Sequence, residues 1–337
     1  MAIKTYAQAI RDCIAEEMRL DRNVFVMGED VGLQGGIFGC TRGLLREFGA
    51  ERVIDTPMSE NSMMGAAIGA AYLGKRPILE YMYVDFALLG FDQLMNTAAK
   101  ARYMYGGQHF VPMVFRTQQG VGRANGPNHS QSFESLFCHV PGLKVAIPSA
   151  PADAAGLLRT AIRSLDPVVF LEHKALYATK GEVPDDPEFA IPFGQAKVIR
   201  EGKDVTLFTN FTYVDRCREI ADRLEEEKGI SCEIIDPRTL VPFDKKTLLE
   251  SVKKTGKLVI VHEAMKPLGI GAEVSAIVAE EGFQYLRAPI VRVAAKHQTL
   301  PFCLELETAV VPQDKEIIAG IMKVCEVRPY GTYSHHA

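Results

Sequence analysis

Glu60 opens a run of small, apolar side chains, E-N-S-M-M-G-A-A-I-G-A-A-Y-L over residues 60–73, directly after a strand-like Val53–Asp55 and a Thr-Pro turn. An acid in the first turn of a helix is favoured by the helix dipole, and that is one reading of Glu60. The other is chemical: a carboxylate kept dry at a subunit or domain seam can hold or share a proton. His129 lies in R-T-Q-Q-G-V-G-R-A-N-G-P-N-H-S-Q-S-F-E-S-L-F, residues 116–137, with Asn128, Ser130 and Gln131 around it at the entry to a helix. A flexible surface loop would also read this way. A polar wall of this kind nevertheless suits a His that handles protons better than a buried structural one. Tyr81, Tyr83 and Phe86 follow a strand. Most such aromatics belong in a core, but one at the C-terminal end of a strand can stack on a flat ring.

Gly120-x-Gly122-x-x-x-Gly126 resembles a dinucleotide loop only loosely. Its spacing departs from G-x-G-x-x-G, and the next strand, Lys144–Ile147, ends in Pro-Ser with no acid for a ribose. A Walker loop, G-x-S-x-G and H-E-x-x-H are absent from the sequence.

Elements that alternate along the chain must carry these groups. Apolar runs at 24–27, 77–81, 111–116, 144–147 and 168–172, then 205–209, 231–235, 258–262 and 290–294, read as strands. Helical patterns fall between them, such as 153–164 and 213–228, the second closed by Gly229. Near-continuous apolar strands separated by helices predict mostly parallel sheets covered on both faces, an α/β chain of two doubly wound domains. The Pro-, Gly- and charge-rich stretch 173–204 has no period and reads as the crossing between them. The expected domains are 1–185 and 205–325, with a linker at 186–204 and a loosely ordered tail at 326–337. Along 60–73, Gly65 and Gly69, Ala66 and Ala70, and Ala67 and Ala71 are spaced four apart. A tightly packed core helix is expected, and the same flatness would suit a subunit interface.

Composition excludes several classes. The 337 residues are 47% hydrophobic and 24% charged with a net charge of -4, which gives no pull toward nucleic acid or an anionic membrane. The seven Cys are scattered with no metal-ligand or CxxC spacing, as for reduced thiols in a cytosol-like compartment. The N-terminal M-A-I-K-T-Y-A-Q-A-I-R-D-C-I-A-E-E-M-R-L-D reads as an amphipathic helix and not a signal peptide, and no apolar run reaches membrane-spanning length. A cytoplasmic protein is expected, or one of an organellar matrix if a presequence has been removed.

Taken in order, D-T-P-M-S-E, E-Y-M-Y-V-D-F-A-L-L-G-F-D-Q-L-M-N-T-A-A-K-A-R-Y-M, N-H-S-Q-S-F-E-S-L-F-C-H-V-P-G-L-K-V-A-I-P-S, I-D-P-R-T-L-V-P-F-D and L-V-I-V-H-E-A resemble one family over about residues 1–325. It is the beta subunit of the thiamine-diphosphate-dependent decarboxylating component of 2-oxo acid dehydrogenase complexes, of the pyruvate and acetoin dehydrogenase type. The resemblance implies a thiamine-diphosphate pyrimidine-binding fold followed by a transketolase C-terminal-like domain. It implies that Glu60 bonds the aminopyrimidine ring nitrogen, that Phe86 stacks on that ring, and that Met58 and Met82 line it. His129 matches the His that handles protons of substrate or acyl intermediate. Some relatives hold a structural potassium ion at positions matching Met113, Ala161, Ile162, Ser164 and Asp166, of which Ser164 departs from the Asp often found there.

The implied reaction follows. Glu60 favours the imino tautomer of the aminopyrimidine, which deprotonates the thiazolium carbon. The ylide attacks a 2-oxo acid or acetoin, and the resulting acyl-carbanion or enamine passes to a lipoyl group. No G-D-G motif for diphosphate and Mg2+ occurs in the sequence, so an alpha subunit is expected to bring both, in an α2β2 heterotetramer working with a lipoylated dihydrolipoamide acyltransferase. The rival readings are a split transketolase or carboligase subunit using the same cofactor and, from another class, a dinucleotide-binding oxidoreductase built on G-V-G-R-A-N-G.

Overall fold

The computed structural model of the chain describes residues 1–326. Residues 327–337, with His335 and His336 of the expected tail, lie outside the described residues. The chain forms two units. The first comprises Met1–Gln195, Arg238–Phe243 and Thr299–Glu307, and the second Ala196–Pro237, Asp244–Gln298 and the chain from Thr308 onward.

Strands are numbered in chain order. The first unit begins with β1 (Ala2–Thr5), β2 (Val24–Gly28), β3 (Val53–Asp55), β4 (Arg76–Tyr81), β5 (Val114–Gln119), β6 (Lys144–Ala146), β7 (Val168–His173) and β8 (Lys180–Val183). The second holds β9 (Lys197–Arg200), β10 (Val205–Thr209) and β11 (Cys232–Asp236). The chain then returns to the first with β12 (Thr239–Val241), and the second ends with β13 (Leu258–Met265) and β14 (Val291–Ala295). The first unit's main sheet has seven strands in the order β12-β6-β7-β5-β4-β2-β3, all parallel except β12. The second unit's sheet runs β14-β13-β10-β11-β9, parallel except β9. Central strands β5, β7, β10 and β11 are buried at every position, which requires cover on both faces and explains their unbroken apolar runs. The expected α/β class, with two successive mostly parallel units, is the one observed.

Edge elements differ from the sequence reading for identifiable reasons. The first helix spans Tyr6–Leu20 and not the whole N-terminus. Ala2–Thr5 pairs antiparallel with β8, and Thr5 ends that strand as the helix cap, accepting from Gln8 N at 3.1 Å while its own N–H donates to Gln8 Oε1 at 2.8 Å. The stretch 173–204 contains two short strands, β8 and β9, whose exposed, polar residues hide any period. On the helix Glu60–Tyr72, Met63, Met64, Ala67, Ile68 and Ala71 are buried as expected. Gly65 and Gly69 are not core positions: a Cβ on either would meet nothing.

The centre of the first sheet is ionic. Arg116 on β5 is fully buried and donates from Nη1 to Glu80 Oε2 on β4 at 2.6 Å. From Nε and Nη2 it donates to Glu172 on β7 at 2.6 and 2.8 Å. Gln118 caps the free oxygen of Glu80 at 2.9 Å, and the Tyr177 hydroxyl donates to Glu172 at 2.6 Å. Burial opposes the charge on Arg116, but Glu172 and Glu80 outweigh it and hold the guanidinium ionised. Removing the cation and leaving two buried carboxylates is the costly change. Arg116→Leu should lower stability by about 3–5 kcal/mol, read as an earlier urea or thermal transition. A loss below about 1 kcal/mol, as for a surface pair, would contradict this account.

Candidate functional site

Parallel strands that share one direction end on one edge, and there the loops of the first unit bring the reactive groups together. Glu29 follows β2, Glu60 follows the turn after β3, Met82 to Phe86 follow β4, His129 lies in the loop after β5, and Lys174 follows β7.

Glu29 is 6% exposed. Its Oε2 accepts from Met82 N at 3.3 Å, and its Oε1 has no partner among the described residues. Burial, and then the charge of Glu60, push its carboxyl from the ordinary 4.5 up to about 7. Glu60 is half-buried at the first position of its helix, and its carbonyl accepts from the Tyr81 hydroxyl. Burial, followed by Glu60 and Glu29, raises that hydroxyl too.

A second group forms beside the acids. The Phe86 ring, half-buried, meets His129 edge-on at 5.3 Å and 74°, and the Tyr83 ring meets it at 5.6 Å and 75°. Nδ1 of His129 lies 3.1 Å from Asn128 Oδ1. The buried Lys174 ammonium donates to the His129 carbonyl and sits 4.6 Å over the Tyr83 ring. Asp85 accepts from Gln131 N and Nε2 at 3.2 and 2.9 Å, tying the segment of Phe86 to the loop of His129. Glu60, Met82, Phe86 and His129 thus lie on one strand edge; Met58 is 83% exposed. Tyr83 was among the aromatics singled out after the strand; Glu29, Asp85 and Lys174 were not expected. Each directly follows a strand or its loop on the same edge, and an inventory of polar residues at the ends of parallel strands would have found them.

The positions matched to potassium are served by protein cations. Arg76 Nη1 donates to the carbonyls of Ile162 and Ser164 at 3.0 and 3.2 Å. Lys144 Nζ donates to Ser164 Oγ at 3.0 Å and lies 3.3 Å from Asp166, which also pairs with Arg102 at 2.6 Å. The carbonyls of Met113 and Ala161 accept from Val168 and Ser164 N–H groups at 3.0 and 3.1 Å. This set does not fit a potassium ion. Among the described residues no group of three or more His, Cys, Asp or Glu could hold a metal, and no helix is long and apolar enough to cross a membrane.

Chemically, the edge offers two carboxyl groups, one of them buried, and an imidazole against the rings of Tyr83 and Phe86.

Comparison with known proteins bears on this arrangement. Residues 3–180 match the transketolase pyrimidine binding domain, and residues 194–317 the transketolase C-terminal domain. The chain is 46% identical over 321 residues to the pyruvate dehydrogenase E1 component subunit beta of Rickettsia felis, covering 95% of this chain and 98% of that one. It is 46% identical over 325 residues to the acetoin:2,6-dichlorophenolindophenol oxidoreductase subunit beta of Cupriavidus necator, covering 94% and 95%. The corresponding Bacillus subtilis subunit is 45% identical over 330 residues, with 94% and 96% covered. A solved split-gene transketolase, an inactive beta4 tetramer, superposes with a TM-score of 0.76 over 95% of this chain and 97% of that one at 23% identity, a likeness of fold.

The raised Glu29 carboxyl has a consequence for stability. Glu29 binds a proton more tightly folded than unfolded, so its contribution is complete below its ordinary 4.5 and is lost as pH rises through about 7. Glu29→Gln keeps the shape without the charge. Its thermal midpoint should exceed the wild type's near pH 8 and match it near pH 5. A midpoint lower than wild type near pH 8 would show that Glu29 is stabilised as a carboxylate.

Proposed function

Because the chain belongs to the family of pyruvate and acetoin dehydrogenase beta subunits, built from transketolase pyrimidine-binding and C-terminal domains, we propose that it is the beta subunit of a thiamine-diphosphate-dependent 2-oxo acid or acetoin dehydrogenase. The observation that carries the reading is the gathering on one strand edge of Glu60, whose carbonyl accepts from Tyr81, the buried Glu29 against Met82 N, and the Phe86–His129 contact.

These residues fit the aminopyrimidine end of thiamine diphosphate. A ring nitrogen needs a carboxyl that can give or share a proton, and Glu60 stands beside a second acid that shares that task. A flat heteroaromatic ring needs an aromatic face, and Phe86 is half-buried with its ring available. Met82 lies in the same segment, and Met58 lines the ring from a position this chain alone leaves exposed. When bound, thiamine diphosphate supplies a nucleophilic thiazolium carbon for the substrate's carbonyl. Glu60 holds the proton at the ring nitrogen, and Glu29 keeps that proton available near neutral pH. His129, positioned by Asn128 and by Lys174 on its carbonyl, moves protons at the substrate oxygen. Phe86 and Tyr83 wall one side of the site, and closure against water falls to the partner chain.

An alpha subunit brings the diphosphate and magnesium contacts, the two chains assemble as α2β2, and the acyl group goes to the lipoyl group of an acyltransferase component in the cytoplasm. Identity of 45–46% over nearly whole chains to dehydrogenase subunits, against 23% to the split transketolase, favours this over transfer of a ketol unit. A dinucleotide is disfavoured because backbone amides of the loop at 120–126 are already used, Gly122 and Ala124 N–H by Glu307 and Gly120 N–H by the Gln131 carbonyl.

With an alpha subunit, thiamine diphosphate and magnesium, the pair should reduce an artificial acceptor on addition of pyruvate or acetoin, while the beta chain alone stays inactive. Glu60→Gln should lower kcat/KM by about 10²–10⁴-fold without loss of assembly. Full turnover by the lone chain, or an active Glu60→Gln enzyme, would sink the proposal.

A further inference from the structure

We propose that Arg123 recognises the carboxylate of the substrate, so that this site selects a 2-oxo acid over an uncharged acyloin. The inference rests on the function proposed above and adds a residue and a preference that the cofactor site does not contain.

The loop that carries Arg123 is built and held. Gly122 N and Ala124 N, the neighbours on either side, both donate to Oε2 of Glu307, at 3.0 and 3.1 Å. Glu307 is fully buried, and its contacts reach across 185 residues of sequence. Ala124 adopts φ +51°, and a Cβ on Gly126 would lie 2.3 Å from the Phe302 ring. One buried carboxylate and one aromatic ring therefore fix the backbone around Arg123 and leave its side chain exposed.

That side chain lies on an aromatic shelf leading to His129. The guanidinium carbon is 4.8 Å from the centre of the Phe38 ring. Phe38 stacks on Tyr177 at 4.2 Å and 12°, and lies 6.3 Å from Tyr83, whose ring meets His129 at 5.6 Å. Burial raises the Tyr83 hydroxyl, and the charge of Arg123 works against that shift, so the cation is felt within the site. Arg123 forms no ion pair among the described residues. Glu29 and Glu60 lie at Tyr81 and Met82, while Arg123 and Lys174 lie at Tyr83, where the one nearby acid, Asp85, is buried and accepts from Gln131. Lys174 is buried and committed to the His129 carbonyl. Arg123 is the cation with its fork of donors open, and that fork matches a carboxylate.

Position also suits the chemistry. A carboxylate that must leave as carbon dioxide is not helped by a tight ion pair at the reacting carbon, which would stabilise the ground state. A guanidinium at the rim captures and orients the acid instead. Its effect belongs in KM and in the salt dependence of kcat/KM more than in kcat. An uncharged acyloin gains nothing from it.

The test uses the enzyme reconstituted from alpha and beta chains with thiamine diphosphate and magnesium, with a dye as acceptor so that no lipoyl protein takes part. The wild type should prefer pyruvate to acetoin. Arg123→Gln should raise KM for pyruvate about tenfold or more, with kcat changed by no more than about twofold. Its kcat/KM should lose most of its salt dependence, and KM for acetoin should stay unchanged. Arg123→Lys should recover part of the loss. An unchanged KM for pyruvate, an equal rise for acetoin, or a wild-type preference for acetoin would overturn the proposal. So would weakened affinity for the alpha chain, which would place Arg123 against an acid of the partner. A wild-type enzyme that turns over neither compound overturns the function proposed above; any of the other failures leaves that function standing.

Discussion

The first unit depends on a single buried cation bridging three strands. Arg116 reaches Glu80 on one side and Glu172 on the other, so β4, β5 and β7 share one charge network in the middle of the sheet. Such a network is expensive, because three ionised groups leave water together. It holds because nearly every arm is answered: Gln118 donates to the Glu80 oxygen that Arg116 leaves free, and the Tyr177 hydroxyl donates to Glu172 Oε2, which it shares with Arg116 Nη2. The return is register. A slip of one residue on any of these strands would turn a charge toward the wrong face. The same three strands end in the segments of Met82 and Phe86, the loop of His129 and Arg123, and Lys174. The accuracy of the site is inherited from the sheet beneath it.

Above that network the edge is arranged by charge. Two acids placed together cannot both ionise cheaply, and the buried one gives way: Glu29 keeps its proton to about pH 7. A proton is thereby stored next to Glu60 near neutral pH without a His at that spot. On the same edge an ammonium and a guanidinium act on Tyr83, with the buried Asp85, and His129 lies against the rings of Tyr83 and Phe86. Proton chemistry on a ring and recognition of an anion, the two roles proposed above, make opposite electrostatic demands, which groups placed at different points of one edge could meet separately.

Much of this was legible in the sequence, for physical reasons. Buried parallel strands must be apolar on both faces, so their runs stand out and their positions were read to within a few residues. Strands β1, β8, β9 and β12 are short, antiparallel and at edges; exposed or charged residues break the pattern in the first three, and β12 is only three residues long. Glu60 and His129 stood out because each is a reactive group in an unusual setting, an acid before a small-sided helix and an imidazole in a polar helix entry. Glu29 did not, since an acid after a strand is ordinary until another acid is known to face it. Arg123 looked like part of a glycine loop because the residue that shapes that loop, Glu307, lies at the far end of the chain. Gly65 and Gly69 were read as core because spacing alone does not say whether a flat face is already covered.

The incompleteness of the site within one chain has a physical meaning. Glu60, Phe86 and His129 are only half-buried, Met58 and Arg123 are exposed, and the Gly65 and Gly69 face is open. A carboxyl that must share a proton with a ring works in a dry, low-dielectric setting, and in this chain by itself water reaches it. The strand scaffold fixes where each group stands, but exclusion of solvent cannot come from a surface that faces solvent. Completing the site with a second polypeptide makes catalysis conditional on assembly. On the function proposed above, reactive intermediates would arise only where the partner chain and the acceptor are already in place.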